Sequence, residues 1–406
     1  VGAQQGGLLE GLLGAGEARG GPSGAVRPPL HVEPPGPEER RALLGLWCIE
    51  GVGPRTVADL EARVGALSQL LSVPCAEWAG LLSLPRPVRA RLQRYGRLEG
   101  AADEAEKKVE AGRMEVCFRG EPGFPTGLLE VEDAPPLLFF RGRRVPPQAW
   151  VALVGSRRPD PGFLRTAFAF ASAVAGRGAG IVSGAAEGVD TAAHTAAMRV
   201  GVPTWAFVGS ALDELDPAQA DLAPRIQEAG GTVFSELPPT VRANKQTFPR
   251  RNRLISGAAH VVVVLRAAER SGSLHTAEAA RLQRRPVLAL PGELGVREAV
   301  GCNMLIRDGV ARLCRGPDDV WEALRGKPAG ARAGGAAAGQ VPVEADLSRL
   351  SPGARQAYAH LSRTPRDFDD VLADCALGSA ALTIALGELE LAGLVLQLPG
   401  KLYERL

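Results

Sequence analysis

The sequence predicts an α/β protein: a central extended Rossmann-like domain with a parallel sheet, a small all-α domain before it and a winged helix after it. Three observations carry this. From Val151 onward, short continuous apolar runs alternate with helical segments. Several of those runs end directly in Gly or Ser-Gly. A Gly/Ala/Pro-rich stretch then precedes a helix-helix-helix-hairpin pattern. Continuous apolar runs mean strands buried on both faces, which is the condition of a parallel sheet covered by helices.

In chain order, residues 1–37 are Gly- and Ala-rich with scattered charges and read as a disordered leader, neither a signal peptide nor a spanning helix. Residues 38–110 read as a helical domain of the SAM-like or helix-hairpin-helix kind. An apolar helix leads to Gly51-Val52-Gly53, and Pro54 then opens a second amphipathic helix. Two glycines between helices can be a plain tight turn or a hairpin whose amides hold a phosphate, and the motif is too short to separate the two. Residues 111–325 hold the Rossmann-like domain. Its strands are "WVALVG", "AGIVSG", "PTWAFVG", "GTVFSEL", "HVVVVL" and "RPVLALPG", with one or two more strands at the sheet edge from "MEVCFRG" and "PPLLFFRG". Residues 326–344 lack apolar periodicity and read as a flexible linker. Residues 345–406 give the winged helix, closed by a two-stranded wing around Pro399-Gly400.

Bulk charge assigns no partner, because 47 basic side chains face 45 acidic ones. The six cysteines show no C-x-x-C pair and no metal-like spacing, which suits a reducing cytoplasm. No apolar run reaches the roughly 18–20 residues needed to span a bilayer, so no membrane partner is expected, and neither is a cofactor or metal.

The candidate site follows from where ligands sit in open parallel sheets: at the carboxyl ends of strands, beside helix N-termini. Gly155, Ser156 and Arg157 follow one strand and Ser183 and Gly184 end another, while Ser271, Gly272, Ser273 and Thr276 open a helix. Glycines admit a phosphate to the backbone, and hydroxyls and free amides donate to its oxygens. There is no G-x-x-x-x-G-K-[ST] and no G-x-G-x-x-G, so neither a P-loop nor a dinucleotide site is supported. Between Glu236 and Glu269 the chain has no acidic residue, yet it carries Arg242, Lys245, Arg250, Arg251, Arg253 and Arg266. Cations for phosphates with Phe248 for a base face are the vocabulary of single-strand binding. Asn252 and Arg253 are the two whose partners are expected to be internal, with Asp190 or Glu236 as acceptors. His194 and His260 read as packing residues.

The motifs "VGSR", "IVSGAAEGVDTAAH", "SELPP", "FPRRNRLISG", "SGSLHTAEAA" and "GCNMLI" run in the order found in the DNA-processing protein A family, also called Smf, which this chain resembles over roughly residues 113–315. The resemblance implies a dimeric cytoplasmic protein that binds single-stranded DNA during natural transformation and loads the RecA recombinase onto it. It implies a strand pocket on Arg157, Ser183, Gly184, Lys245, Phe248 and the arginines of "FPRRN", with Ser271 to Thr276 lining it. Departures are Arg266, where relatives carry an acid, His275, where they carry an aliphatic, and the lack of a tyrosine before Pro217. The resemblance implies no enzyme. The alternative is a phosphoribohydrolase-like enzyme on the same fold, for which Glu187, Asp190 and Glu278 are the candidate carboxylates, without paired spacing to mark them. From Asp367 to Gly400 the winged helix has no Lys or Arg, a composition that suits a protein contact better than a DNA groove.

Overall fold

The computed structural model describes residues 32–81, 84, 86–143, 149–241, 247–325, 350–362, 366–391, 394–398 and 402–405. Within these, the side chains of Leu81, Phe248, Pro249, Glu390, Leu391, Leu396, Gln397, Leu398, Leu402 and Glu404 are not described. The leader before residue 32, the whole linker, Lys245 and the Pro399-Gly400 turn lie outside the described residues. The chain forms two compact units, Val1–Ala329 and Gly330–Leu406.

The first unit begins with helices α1 (Pro37–Trp47), α2 (Pro54–Val64), α3 (Cys75–Leu81), α4 (Arg86–Tyr95) and α5 (Leu98–Ala111). Proline opens both α1 and α2, where its missing N–H costs nothing, and Glu38 and Glu39 sit at the positive end of α1. Val57, Leu60 and Val64 of α2 turn one face inward at the helical period. The sequence reading separates these helices from the sheet as a domain of their own. In the structure they belong to one unit with it, and Leu46, Trp47, Leu60 and Leu92 share a core with Phe118, Phe139, Leu212 and Val233. Trp47 Nε1 also donates to the Glu236 carbonyl at 2.7 Å, which ties α1 to the end of a strand.

The sheet holds nine strands: β1 (Glu115–Phe118), β2 (Leu137–Gly142), β3 (Ala149–Gly155), β4 (Ala179–Ser183), β5 (Thr204–Phe207), β6 (Thr232–Ser235), β7 (Val261–Arg266), β8 (Val287–Ala289) and β9 (Arg312–Leu313). Their order is β1-β2-β6-β5-β4-β3-β7-β8-β9. β1 and β2 are antiparallel additions on the β6 edge, and the strands from β6 to β9 pair in parallel. Between the strands run α6 (Pro161–Ala175), α7 (Val189–Val200), α8 (Pro217–Glu228), α9 (Thr247–Ala258) and α10 (Gly272–Leu282). The apolar runs behave as expected of a doubly covered sheet. Val151, Leu153, Ile181, Val261 and Val263 pack on one face against Ala167, Phe170, Ala171 and Val174 of α6. Ala152, Val154, Val182, Val262 and Val264 pack on the other against Leu254 and Ile255 of α9 and Ala277 and Ala280 of α10. Strand β9 has no counterpart in the sequence reading, since two residues carry too short a pattern to stand out.

The second unit has α-helices Pro352–Ala359, Phe368–Asp374 and Ser379–Leu391 and a three-stranded sheet, in which Val395–Leu398 and Leu402–Arg405 form the hairpin and Arg366–Asp367 adds a short third strand. Its core gathers Ala354, Tyr358, Val371, Leu382, Leu386, Leu389 and Tyr403. This is a winged helix. Among the described residues no single helix is long and apolar enough to cross a membrane.

Two histidines separate here. The sequence reading places His260 in the core, but it is exposed, because it stands at the entry of β7, where its Nδ1 accepts from the Trp150 amide at 3.0 Å. His194 is fully buried, with Nδ1 at 2.7 Å from Thr204 Oγ1, whose own proton goes to the Ile181 carbonyl at 2.8 Å. Nδ1 therefore carries the proton and donates. Burial drives the His194 pKa from the ordinary 6.5 down to about 3, with Arg251 adding repulsion. A depressed folded pKa gives stability that is whole above 6.5 and lost as pH falls toward 3. Unfolding free energy should drop by about 1.4 kcal/mol per pH unit between roughly pH 6 and 4 from this residue. Denaturant titrations of wild type and His194→Asn across that window should show the slope shallower in the variant.

Candidate nucleic-acid interface

Strand order reverses between β3 and β7, so the connections from these neighbours leave in opposite directions and open a crevice at their carboxyl ends. A cleft of about 520 Å³ lies there, with Gly155, Ser156, Arg157 and Arg158 from the loop after β3 and Ala268, Arg270 and Ser271 from the loop after β7. The β3 loop is held by helix α7, whose Val189 amide donates to the Ser156 carbonyl at 3.1 Å. Gly188 has φ +85°, and a Cβ there would stand 2.5 Å from the Ser156 carbonyl oxygen. Only glycine lets the loop lie this close. Ser156 Oγ accepts from the Arg158 amide at 3.2 Å, and both Arg157 and Arg158 are exposed.

The opposite wall is the start of helix α10, which Ser271 caps. Ser271 and Ser273 hydroxyls meet at 2.8 Å. Thr276, 1% exposed, lines the cleft, and its hydroxyl has no hydrogen-bond partner among the described residues. Gly272 has open space where a side chain would go, and His275 is exposed at the rim.

The arginine-rich stretch forms helix α9. Successive helical residues point about 100° apart, so the cluster cannot face one way. Arg251 is 4% exposed and turns under the strand ends, where Nη1 donates to the Gly184 carbonyl at 2.6 Å and to the Phe207 carbonyl. Asp190 lies beside it and accepts from the Gly184 and Ala186 amides at 3.1 and 3.4 Å. A Cβ on Gly184 would come within 2.8 Å of both the Arg251 guanidinium and the Asp190 carboxylate. Burial raises the Asp190 pKa and pulls Arg251 down to about 10, which leaves the guanidinium charged at neutral pH.

Arg250 and Arg253, three apart on the helix, share Glu236. Arg253 pairs with it at 2.6 Å and with Asp133 at 2.9 Å, while the more exposed Arg250 stands 3.4 Å from it. Asn252 Nδ2 donates to the Gly272 carbonyl at 3.1 Å, and Ser183 Oγ donates to the Leu153 carbonyl at 2.6 Å.

Several site residues expected from the sequence are thereby corrected in role. Arg251 and Ser183 point into internal acceptors, because the helix and strand that carry them are packed at those positions, and Arg253 pairs with Glu236 as expected of it. Gly184 provides room for the buried charges rather than for a ligand. Asn252 lines the cleft but spends its amide on Gly272. Gly155, Ser156, Arg157, Ser271, Gly272, Ser273 and Thr276 do meet at one cleft. Phe248 lies in the first turn of α9, and Lys245 falls outside the described residues.

The cleft also holds two cations that the sequence reading does not single out, Arg158 and Arg270. Arg270 has a signal in the sequence: it directly precedes a helix cap, where the positive end of the helix dipole disfavours a cation unless an anion joins them. Arg266, the departure after β7, pairs with Asp160 at 3.3 Å and lies 4.5 Å over the Phe163 ring. Glu278 pairs outward with Arg281 at 2.7 Å.

Glu236 is 2% exposed, and burial raises its pKa despite Arg253 and Arg250. Removing it would leave Arg253 without its buried counter-charge. Glu236→Ala should cost about 3–5 kcal/mol, read from urea unfolding, while Arg250→Ala, on a half-exposed partner, should cost under about 1 kcal/mol.

Fold and cleft define a Rossmann-like protein with a cation-framed crevice at its switch point, joined in one chain to a winged helix. The chain belongs to the DNA recombination-mediator protein A family, whose model matches residues 115–325, and the model of the DprA winged helix domain matches residues 341–401. Protein Smf of Escherichia coli is 40% identical over 204 residues, 50% of this chain and 54% of the relative. Protein Smf of Synechocystis is 31% identical over 316 residues, 70% of this chain and 78% of the relative. The X-ray structure of DNA processing protein A from Streptococcus pneumoniae superposes with a TM-score of 0.58 at 29% identity, covering 70% of this chain and 96% of that one.

Proposed function

We propose that this protein binds single-stranded DNA through the switch-point cleft and passes it to the RecA recombinase during natural transformation, acting as a cytoplasmic homodimer. The observation that carries the DNA-binding part is the cleft itself. Arg157, Arg158 and Arg270 frame an open crevice. Among the described residues, its Thr276 hydroxyl has no partner, and the one carboxylate in its lining, Asp190, is buried beside Arg251. Phosphates need such cations and donors. Phe248, at the start of the helix that forms the floor, is assigned to stack on a base, with Lys245 just ahead of it in sequence. The recombinase, dimer and cytoplasmic parts rest on family membership.

A binder is favoured over a hydrolase by the state of the carboxylates. Asp190 is buried, accepts from two amides and lies near the Arg251 charge, and Glu278 is paired with Arg281. Neither is disposed to take a proton from a bound substrate.

Arg157→Ala and Arg270→Ala should each weaken binding of every sequence alike and flatten the dependence of log affinity on log salt by roughly 0.7 per lost phosphate contact. Phe248→Ala should cost roughly 1–3 kcal/mol with the salt slope kept. Fluorescence anisotropy of labelled single strands over a salt series reads both, and full-affinity binding by Arg157→Ala/Phe248→Ala would overturn the assignment of the cleft. The acidic bias of the winged helix leads to a second expectation. The chain shortened by its Gly330–Leu406 unit should bind single strands as tightly as the whole chain, and a substantial loss of affinity would show that this unit touches DNA.

A further inference from the structure

A cavity of about 630 Å³ opens between the corner joining α5 to β1, strand β2 and helix α8, and it shares no lining residue with the switch-point cleft. Three irregularities of the chain meet in its lining. The first is Arg113, just past the end of α5. Its amide donates to the Glu110 carbonyl at 2.9 Å and the Met114 amide to the Val109 carbonyl at 3.3 Å, the paired bonds of a helix stop. The left-handed position of such a stop normally belongs to glycine, yet here an exposed arginine holds it at φ +48°. Its guanidinium has no hydrogen bond or ion pair among the described residues. The second is Arg141, half-buried near the end of β2. Nη2 donates to the Gly112 carbonyl at 2.5 Å, but the buried Nε has no partner among the described residues. Burial lowers the Arg141 pKa and the Asp213 charge opposes this, although the two form no direct ion pair among the described residues. The third is Pro224, inside helix α8. Proline has no N–H, so the Ala220 carbonyl lacks its donor four residues on, and both residues line the cavity.

A strained arginine, an unpaired guanidinium N–H and a broken helix bond each cost stability, and such costs gather where a ligand offsets them. Two guanidiniums match the charge of about −1.5 to −2 on one phosphate monoester at neutral pH. Phosphate alone would leave the acceptors of the cavity unused. Asp213 takes the Thr240 amide on both oxygens at 3.0 Å and keeps further lone pairs, and the Ala220 carbonyl adds another acceptor. Ribose hydroxyls supply donors for both, as they do for the acidic residue of dinucleotide folds. Leu212, Leu215 and Pro224 give apolar surface for a ring. The volume also suits a nucleotide, within the roughly 300–1,000 Å³ of small-molecule sites.

We infer that this cavity binds a free ribonucleoside 5′-monophosphate. Its phosphate lies between Arg113 and Arg141, its ribose on Asp213 and the Ala220 carbonyl, and its base against Leu215 and Pro224. The site is separate from the strand cleft, so it stands or falls independently of the strand-binding proposal.

The test titrates the full chain with AMP, dAMP and adenosine in a calorimeter. AMP should bind, adenosine should bind at least about tenfold more weakly for want of the phosphate, and dAMP should fall between them. Arg113→Gly gives the left-handed turn the residue it favours, so thermal stability should be kept while AMP affinity drops about tenfold. Asp213→Asn, at an exposed position, should narrow the difference between AMP and dAMP. Saturating the chain with a dT oligonucleotide should leave AMP affinity in place. No heat at about 1 mM AMP overturns the nucleotide site. So does equal affinity for AMP and adenosine or for AMP and dAMP, or wild-type AMP binding by Arg113→Gly. Displacement of AMP by the oligonucleotide also overturns it, by placing the nucleotide in the switch-point cleft.

Discussion

A guanidinium buried under the sheet's carboxyl edge sets the geometry of everything around it. Arg251 reaches from helix α9 to the carbonyls of Gly184 and Phe207, at the ends of β4 and β5, with Asp190 from α7 beside it. Taking a charge out of water costs several kcal/mol even after relaxation, and only good hydrogen bonds with a counter-charge offset that. The arrangement supplies both. It fixes two strand ends, a loop and two helices relative to one another, and it demands glycine at 184, where a side chain would strike both charges. The cleft therefore has a rigid floor.

The second buried pairing extends this scaffold toward the N-terminal helices. Glu236 holds Arg253 and Arg250 through its carboxylate and Trp47 through its backbone carbonyl. Helix α1 and helix α9 are thereby joined through one residue at the end of β6. The N-terminal helices therefore share both a core and a polar contact with the sheet.

The arginines of this protein fall into two populations with different duties. Arg251 and Arg253 are spent internally and carry the shape of the site. Arg157, Arg158 and Arg270 stand at the mouth of the cleft, where solvent access keeps the cost of their charge low.

Much of this is legible in the residues alone. Continuous β-branched runs ending in glycine specify the parallel sheet, and the strand-end glycines and hydroxyls of 155–157 and 271–276 specify the cleft's walls. Both are consequences of local sequence: burial on two faces, tight turns and free amides at helix starts. The long motifs carry the family. Which arginine faces solvent is not legible. A run of arginines on one helix is divided by the turn of about 100° between residues, and the partners that bury two of them, Gly184, Phe207, Glu236 and Asp133, come from distant points of the chain. The switch point itself depends on strand order, which pairing across the whole sheet decides.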